Sequence, residues 1–179
     1  MQTEIIISGF GGQGTLYAGQ LLTYTAMDEG KQVTWIPSYG PEMRGGTANC
    51  TVIVSDTEIG SPFVQYPTAV LAMNLPSLDK YESLVAPGGY LVVNASLVNR
   101  EVVRKDIHVL MIPANEIARE IGNERSANLV LLGGLIANKP ILPLEALFQA
   151  LEAHTTERMK KFIPMNVEAL KRGAAYKAS

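Results

Sequence analysis

The sequence predicts an α/β fold: a three-layer sandwich on a mainly parallel sheet with an antiparallel edge. Three observations predict it. Short β-branched runs alternate with helical patterns up to residue 112. A glycine turn joins the first strand to the first helix. One segment, residues 47–55, alternates in polarity as an antiparallel strand near a sheet edge does.

The first strand reads Glu4-Ile5-Ile6-Ile7-Ser8. The turn after it is Gly9-Phe10-Gly11-Gly12-Gln13-Gly14. Leu16, Ala18, Leu21, Leu22, Ala26 and Met27 then recur at helical spacing up to Gly30. Together they open a Rossmann-like βαβ unit. Glycines suit such a turn because a Cβ would block the tight bend and the packing of helix on strand. The free N–H groups at the helix start offer a place for an anion or a polar partner. A dinucleotide fingerprint needs an acid at the end of the second strand as well. That strand, Gln32-Val33-Thr34-Trp35-Ile36, runs into Pro37, Ser38 and Tyr39 and carries none. A structural or re-purposed turn is favoured, and dinucleotide binding is the alternative.

At 179 residues, one domain over residues 1–179 is expected. Hydrophobic residues make up 47% of the chain, enough for a sizeable core. A net charge of −2 and the lack of a basic run give nucleic acid nothing to bind. One cysteine, Cys50, excludes an intramolecular disulfide and an iron–sulfur cluster held by these residues alone. A strand begins within a few residues of Met1 and no apolar run is long enough for a membrane span, so a cytoplasmic protein without a signal peptide is expected.

Residues 37–46 hold three glycines and two prolines together with Ser38, Tyr39, Glu42 and Arg44. A loop of this length at the carboxyl end of a strand reads as a binding loop held in shape by Pro and Gly. The bland alternative is a solvated connection with a Glu42–Arg44 surface pair. In the 47–55 strand, Cys50 shares the apolar face with Ala48, Val52 and Val54, and reads as a buried structural thiol. Residues 58–60 are expected to return as a short strand arm.

Ala69-Val70-Leu71-Ala72-Met73, Tyr90-Leu91-Val92-Val93-Asn94 and residues 107–112 read as further strands. Asn74 and Asn94 stand at strand ends, either lining the glycine-turn side or serving as caps. His108 reads as a strand histidine and His154 as a helix-end histidine favouring the dipole. The helical segment 128–138 is apolar nearly all round, so it is buried in the core or against a partner. Gly133 and Gly134 would let another backbone approach it. Helices are also expected from residues 113, 143 and 164 onward. No catalytic triad, metal-ligand spacing or paired carboxylate is evident, so no catalytic or metal residue is assigned.

Three stretches carry a resemblance: Gly-Phe-Gly-Gly-Gln-Gly at 9–14, Ser-Tyr-Gly-Pro-Glu-Met-Arg-Gly-Gly at 38–46, and Val52-Ile53-Val54-Ser55-Asp56. With Asn74-Leu75-Pro76-Ser77, Ala127-Asn128 and Leu132-Gly133, the chain resembles the gamma subunit of 2-oxoacid:ferredoxin oxidoreductases over nearly its whole length. The resemblance implies a complex that decarboxylates a 2-oxoacid on thiamine diphosphate. Electrons pass through iron–sulfur clusters to ferredoxin, and in most members the acyl group passes to coenzyme A. It implies partner alpha, beta and ferredoxin-like delta subunits that hold the thiamine and the clusters. It also implies a gamma domain beside the thiamine site that helps form the coenzyme A entry. The residues matching the two site motifs are Gly9, Gly11, Gly12, Gln13 and Gly14, then Ser38, Tyr39, Gly40, Glu42, Arg44, Gly45 and Gly46. Arg44 would meet phosphate or carboxylate charge, with Glu42 orienting it. A free-standing nucleotide protein and a purely structural assembly module are the competing readings. An exposed apolar surface, drawn partly from residues 128–138 and covered by subunits or a self-dimer, is also expected.

Overall fold

The computed structural model describes residues 1–39 and 46–178. Six strands form one sheet: β1 (Gln2–Phe10), β2 (Gln32–Tyr39), β3 (Thr47–Ser55), β4 (Ala69–Ala72), β5 (Tyr90–Asn94) and β6 (His108–Ile112), in the order β2-β3-β1-β4-β5-β6. β1, β4, β5 and β6 are parallel neighbours. β3 runs antiparallel to both β1 and β2, so the antiparallel part is a hairpin at one side with β2 outermost. β2 extends to Tyr39, past the expected end at Ile36. Pro37 pairs with Cys50 in the register, which an outermost strand tolerates because its other edge needs no ladder donor. Ser38 and Tyr39 are therefore strand residues rather than loop residues. Residues 58–60 form no strand; the chain there is an irregular loop between β3 and β4.

The pleat sends alternate side chains to two unequal layers. Ile5, Ile7, Cys50, Val52, Leu71, Val92 and Leu110 face α1 (Thr15–Asp28), α3 (Ala114–Ile121), α4 (Ala127–Asn138), α5 (Leu144–His154) and α6 (Ile163–Ala174). Ile6, Val70, Ala72, Leu91 and Val93 face α2 (Leu75–Tyr81) and Val98, Val102 and Ile107 of the following segment. Each such aliphatic side chain removed from water contributes about 1.5–3 kcal/mol.

α4 lies inside this chain, with residues 129–136 all buried. Apart from Ala137 near its end it thus supplies no exposed apolar surface, contrary to the expectation that residues 128–138 would contribute to one. The reason is α6, whose backbone seats on the α4 glycines. A Cβ on Gly133 would fall 2.0 Å from the Leu170 carbonyl oxygen, and one on Gly173 would fall 1.8 Å from that of Val130.

On the opposite layer, the buried Glu82 carboxylate clamps the segment after β5. It accepts from Val103 N (2.6 Å), Arg104 N (3.1 Å) and Arg100 Nη1 (2.7 Å). Arg104 Nη1 donates to the carbonyls of Glu82, Ser83 and Val85.

Candidate functional site at the glycine turn

The register brings the two sequence motifs to one end of the sheet. Phe10 is opposite Thr47, and Gly11 N donates to Gly46 O at 2.8 Å. The glycine turn therefore abuts the residue that closes the 38–46 motif. Gly40, Glu42, Arg44 and Gly45 lie outside the described residues. Ser38 is exposed near the end of β2.

Inside the turn, Gln13 acts as the internal brace. Its Oε1 accepts from Phe10 N at 2.6 Å and from Asn74 Nδ2 at 3.2 Å. Asn74 also caps α2, its Oδ1 accepting from Ser77 N at 2.9 Å. The two readings of Asn74, a cap and a residue on the glycine-turn side, are both realised. Asn94 continues the row at the carboxyl end of β5, donating to Met73 O (3.2 Å) and Asn115 Oδ1 (2.8 Å). Beyond it, the Ser96 hydroxyl donates to the Glu116 carboxylate, a contact that holds this carboxyl below its usual range.

Gly9 is a packing glycine, since a Cβ there would meet Gln13 Oε1 at 2.5 Å and Met73 Cβ at 3.0 Å. Gly12 and Gly14 hold positive φ, +96° and +76°, which side-chain-bearing residues adopt only with strain. Their surroundings differ. A Cβ on Gly14 would strike Asn128 Nδ2 at 2.5 Å, whereas one on Gly12 would meet nothing within 4 Å among the described residues. Gly14 O begins the helix by accepting from Ala18 N (3.0 Å) and also accepts from Asn128 Nδ2 (2.9 Å). One amide from α4 thus fixes the α1 entry, while the N–H groups of the first turn stay without intrahelical partners.

Gly12 and Gly14 line a cleft of about 700 Å³. Gly12, Gly14 and Tyr17 form one wall; Arg125 and Asn128 form a second; Thr155, Met159 and Phe162 close it. Burial raises the Tyr17 phenol above its usual pKa, partly offset by a side-chain hydrogen bond with Thr155. Arg125 is exposed and has no ion-pair partner among the described residues. The cleft combines apolar side chains, one cation and one acid, Arg125 and Glu124, and a helix start whose first N–H groups have no intrahelical partner, a set able to take a ligand with both an anionic and an apolar part.

Arg125, Asn128, Tyr17 and Thr155 were not singled out as site residues from sequence. The available signal was a polar run, Asn123-Glu124-Arg125-Ser126, leading into an otherwise apolar helix whose second residue is Asn128. Cys50 is buried, its thiol 3.5 Å from Thr15 O, and burial pushes it up to about 11 against a lowering contact with Trp35. It is an unreactive packing residue. His108 stacks on Tyr90, and His154 stacks on Tyr24 and meets Asp28 at 2.8 Å. Among the described residues no three His, Cys, Asp or Glu side chains converge as metal ligands. Among them, no helix is long and apolar enough to cross a membrane.

Comparison with known proteins identifies the family. Residues 4–176 match the family described as pyruvate ferredoxin/flavodoxin oxidoreductase. Ketoisovalerate oxidoreductase subunit VorA of Methanothermobacter thermautotrophicus is 37% identical over 175 residues, 98% of this chain but 36% of VorA. The chain therefore spans about a third of that relative's length. 2-Oxoglutarate synthase subunit KorC of Methanocaldococcus jannaschii is 35% identical over 154 residues, 84% of this chain and 82% of KorC. The crystal structure of the keto/oxoacid ferredoxin oxidoreductase gamma subunit from Geobacter sulfurreducens superposes with a TM-score of 0.84 at 30% identity, covering 97% of this chain and 95% of that one. These relatives are subunits of oxidoreductase complexes. The chain belongs to the pyruvate ferredoxin/flavodoxin oxidoreductase family, as a gamma-type subunit of 2-oxoacid:ferredoxin oxidoreductases.

Proposed function

We propose that this chain shapes the site beside thiamine diphosphate in a cytoplasmic 2-oxoacid:ferredoxin oxidoreductase and contacts coenzyme A through the glycine-turn end. It acts as one domain and has no oxidoreductase activity alone. The observation that carries the reading is the opening of Gly12 and Gly14 onto a cleft of about 700 Å³ that Arg125 also lines. Coenzyme A has the matching chemistry: phosphates for the α1 N–H groups and the guanidinium, and a thin arm that could lie in the cleft beside Gly12. Coenzyme A, when bound, supplies the thiol that accepts the acyl group. The chain's own residues would bind and orient its phosphates and exclude water.

Iron–sulfur ligation does not fit this chain, whose one cysteine, Cys50, is buried under α1. The clusters, the thiamine diphosphate and the ferredoxin contact belong to alpha, beta and delta partners in this reading. A dinucleotide enzyme is disfavoured because β2, read to its end at Tyr39, contains no Asp or Glu for a ribose.

The test uses the complex assembled with its partner subunits. Arg44→Ala and Arg125→Ala should each leave assembly intact. Each should weaken coenzyme A binding by about 10- to 150-fold, the loss of one charge-assisted contact of roughly 1.5–3 kcal/mol. Arg44→Lys should recover only part, since an ammonium lacks the planar fork. Unchanged Michaelis constants for coenzyme A and oxoacid in both alanine variants would reject the reading.

A further inference from the structure

The end of the sheet opposite the cleft carries a second feature. The loop between β3 and β4 exposes Phe63 (88%) and Tyr66 (59%), with Met1 (72%) at the same end. Pro62 and Pro67 flank the pair and restrict the backbone, so the aromatics are held outward at low entropic cost to a partner.

Both chain ends come to this end of the sheet. The Met1 amine pairs with Asp56 at 2.5 Å, directly after β3. Tyr176 O accepts from Asn138 Nδ2 (2.8 Å), and Ala178 N donates to Asn138 Oδ1 (2.9 Å). Lys139, the next residue, sets its ammonium 5.4 Å from the ring of Tyr90, the first residue of β5. Tyr90 N in turn donates to Thr68 O, where the aromatic loop ends. The amino ends of the parallel strands thus gather both chain ends and the loop.

VorA continues well beyond the matched region, since 175 aligned residues are 36% of its length. A match across 98% of this chain leaves the additional polypeptide before it, after it, or both. Either way it leaves the domain at the end that carries Phe63 and Tyr66. Where the two parts are separate chains, that junction has to be replaced by non-covalent contact.

We propose that the loop of residues 57–67 docks the partner subunit equivalent to the additional VorA polypeptide, with Phe63 and Tyr66 as its anchors. This rests on the reading that the chain works as a complex subunit. Exposed aromatics between two prolines, Phe63 and Tyr66, belong to the residue class that is enriched at interfaces. Residues 57–67 contain one acid, Glu58, and no Lys or Arg, so the loop offers nothing to anionic lipid. The partner surface it fits is an apolar pocket with a neutral or basic rim.

The experiment measures affinity between the full chain and its co-expressed, purified partner subunits by sedimentation and titration calorimetry. The Phe63→Ser/Tyr66→Ser double variant is compared with wild type. We expect affinity to fall at least about 30-fold. The melting temperature of the free chain should hold, because both rings are solvent-exposed. Equal affinity in wild type and variant would overturn the docking assignment while leaving the subunit reading intact. No binding by the wild-type chain would overturn both. A wild-type chain that self-associates through this loop, with partner affinity unaffected by the double variant, would overturn it in favour of a second copy.

Discussion

The glycines of the α4–α6 contact and those of the 9–14 turn use the same missing side chain differently. At Gly133 and Gly173 the vacated volume is filled by a carbonyl of the facing helix, within 2.0 Å of where a Cβ would stand. At Gly12 nothing among the described residues comes within 4 Å of that position. The polar groups follow the same division. Glu82, in the α2 layer, has three donors on its carboxylate. Arg125, at the cleft, has no ion-pair partner among the described residues. One region is complete within the chain. The other is left open among the described residues, at the place where the proposed ligand would sit.

The comparison breaks most readily at Gly173. Gly173→Ala should cost about 3 kcal/mol or more, because the two helices cannot separate without opening the core. Urea unfolding measures this, and a loss below about 1 kcal/mol would mean that the helices are not locked together.

Glu82→Gln comes next, at roughly 1.5–3 kcal/mol, since an amide cannot satisfy Arg100 and both backbone donors as a carboxylate does. It also carries a pH signature. Burial raises the Glu82 carboxyl, but Arg100 and the N–H groups of Arg104 and Val103 outweigh it and leave it below the usual value. A depressed folded pKa gives stability that is fully present above the unfolded value, about 4.3, and lost as pH falls through the folded one. Wild type should therefore lose stability below about pH 4 more steeply than Glu82→Gln. Parallel acid limbs in the two proteins would show that Arg100 does not hold the carboxylate.

Gly14→Ala and Gly12→Ala sharpen the comparison inside the turn itself. Both incur the positive-φ cost of about 1–2 kcal/mol. Gly14→Ala adds a collision with Asn128, so it should be the less stable of the two by thermal melting. Equal stability would mean that Asn128 yields freely and does not fix the α1 entry.

The fold was legible where local chemistry decides it. β-branched runs marked β1, β4 and β5, the glycine turn marked the start of α1, and Gly30 its end. The alternation of residues 47–55 gave an antiparallel strand near an edge, which β3 is. What the sequence left out was long-range. The extension of β2 through Pro37 depends on its being outermost in the sheet, which no local signal states. The burial of α4 within the chain depends on α6, some thirty residues later, offering Gly173 and a bare carbonyl at Leu170. The candidate site divides in the same way. Gly12 and Gly14 follow from the turn motif. Arg125, Asn128 and Thr155 join them only because α4 starts and α5 ends beside α1, which neither spacing nor composition encodes.

The central claim is that Gly12 faces a bound molecule rather than a neighbouring residue. It is tested most directly by the Michaelis constant for coenzyme A in the assembled complex carrying Gly12→Ala. One methyl placed in the open space should raise that constant by about 10-fold or more, while the complex still assembles. An unchanged constant in a fully assembled complex would contradict the claim.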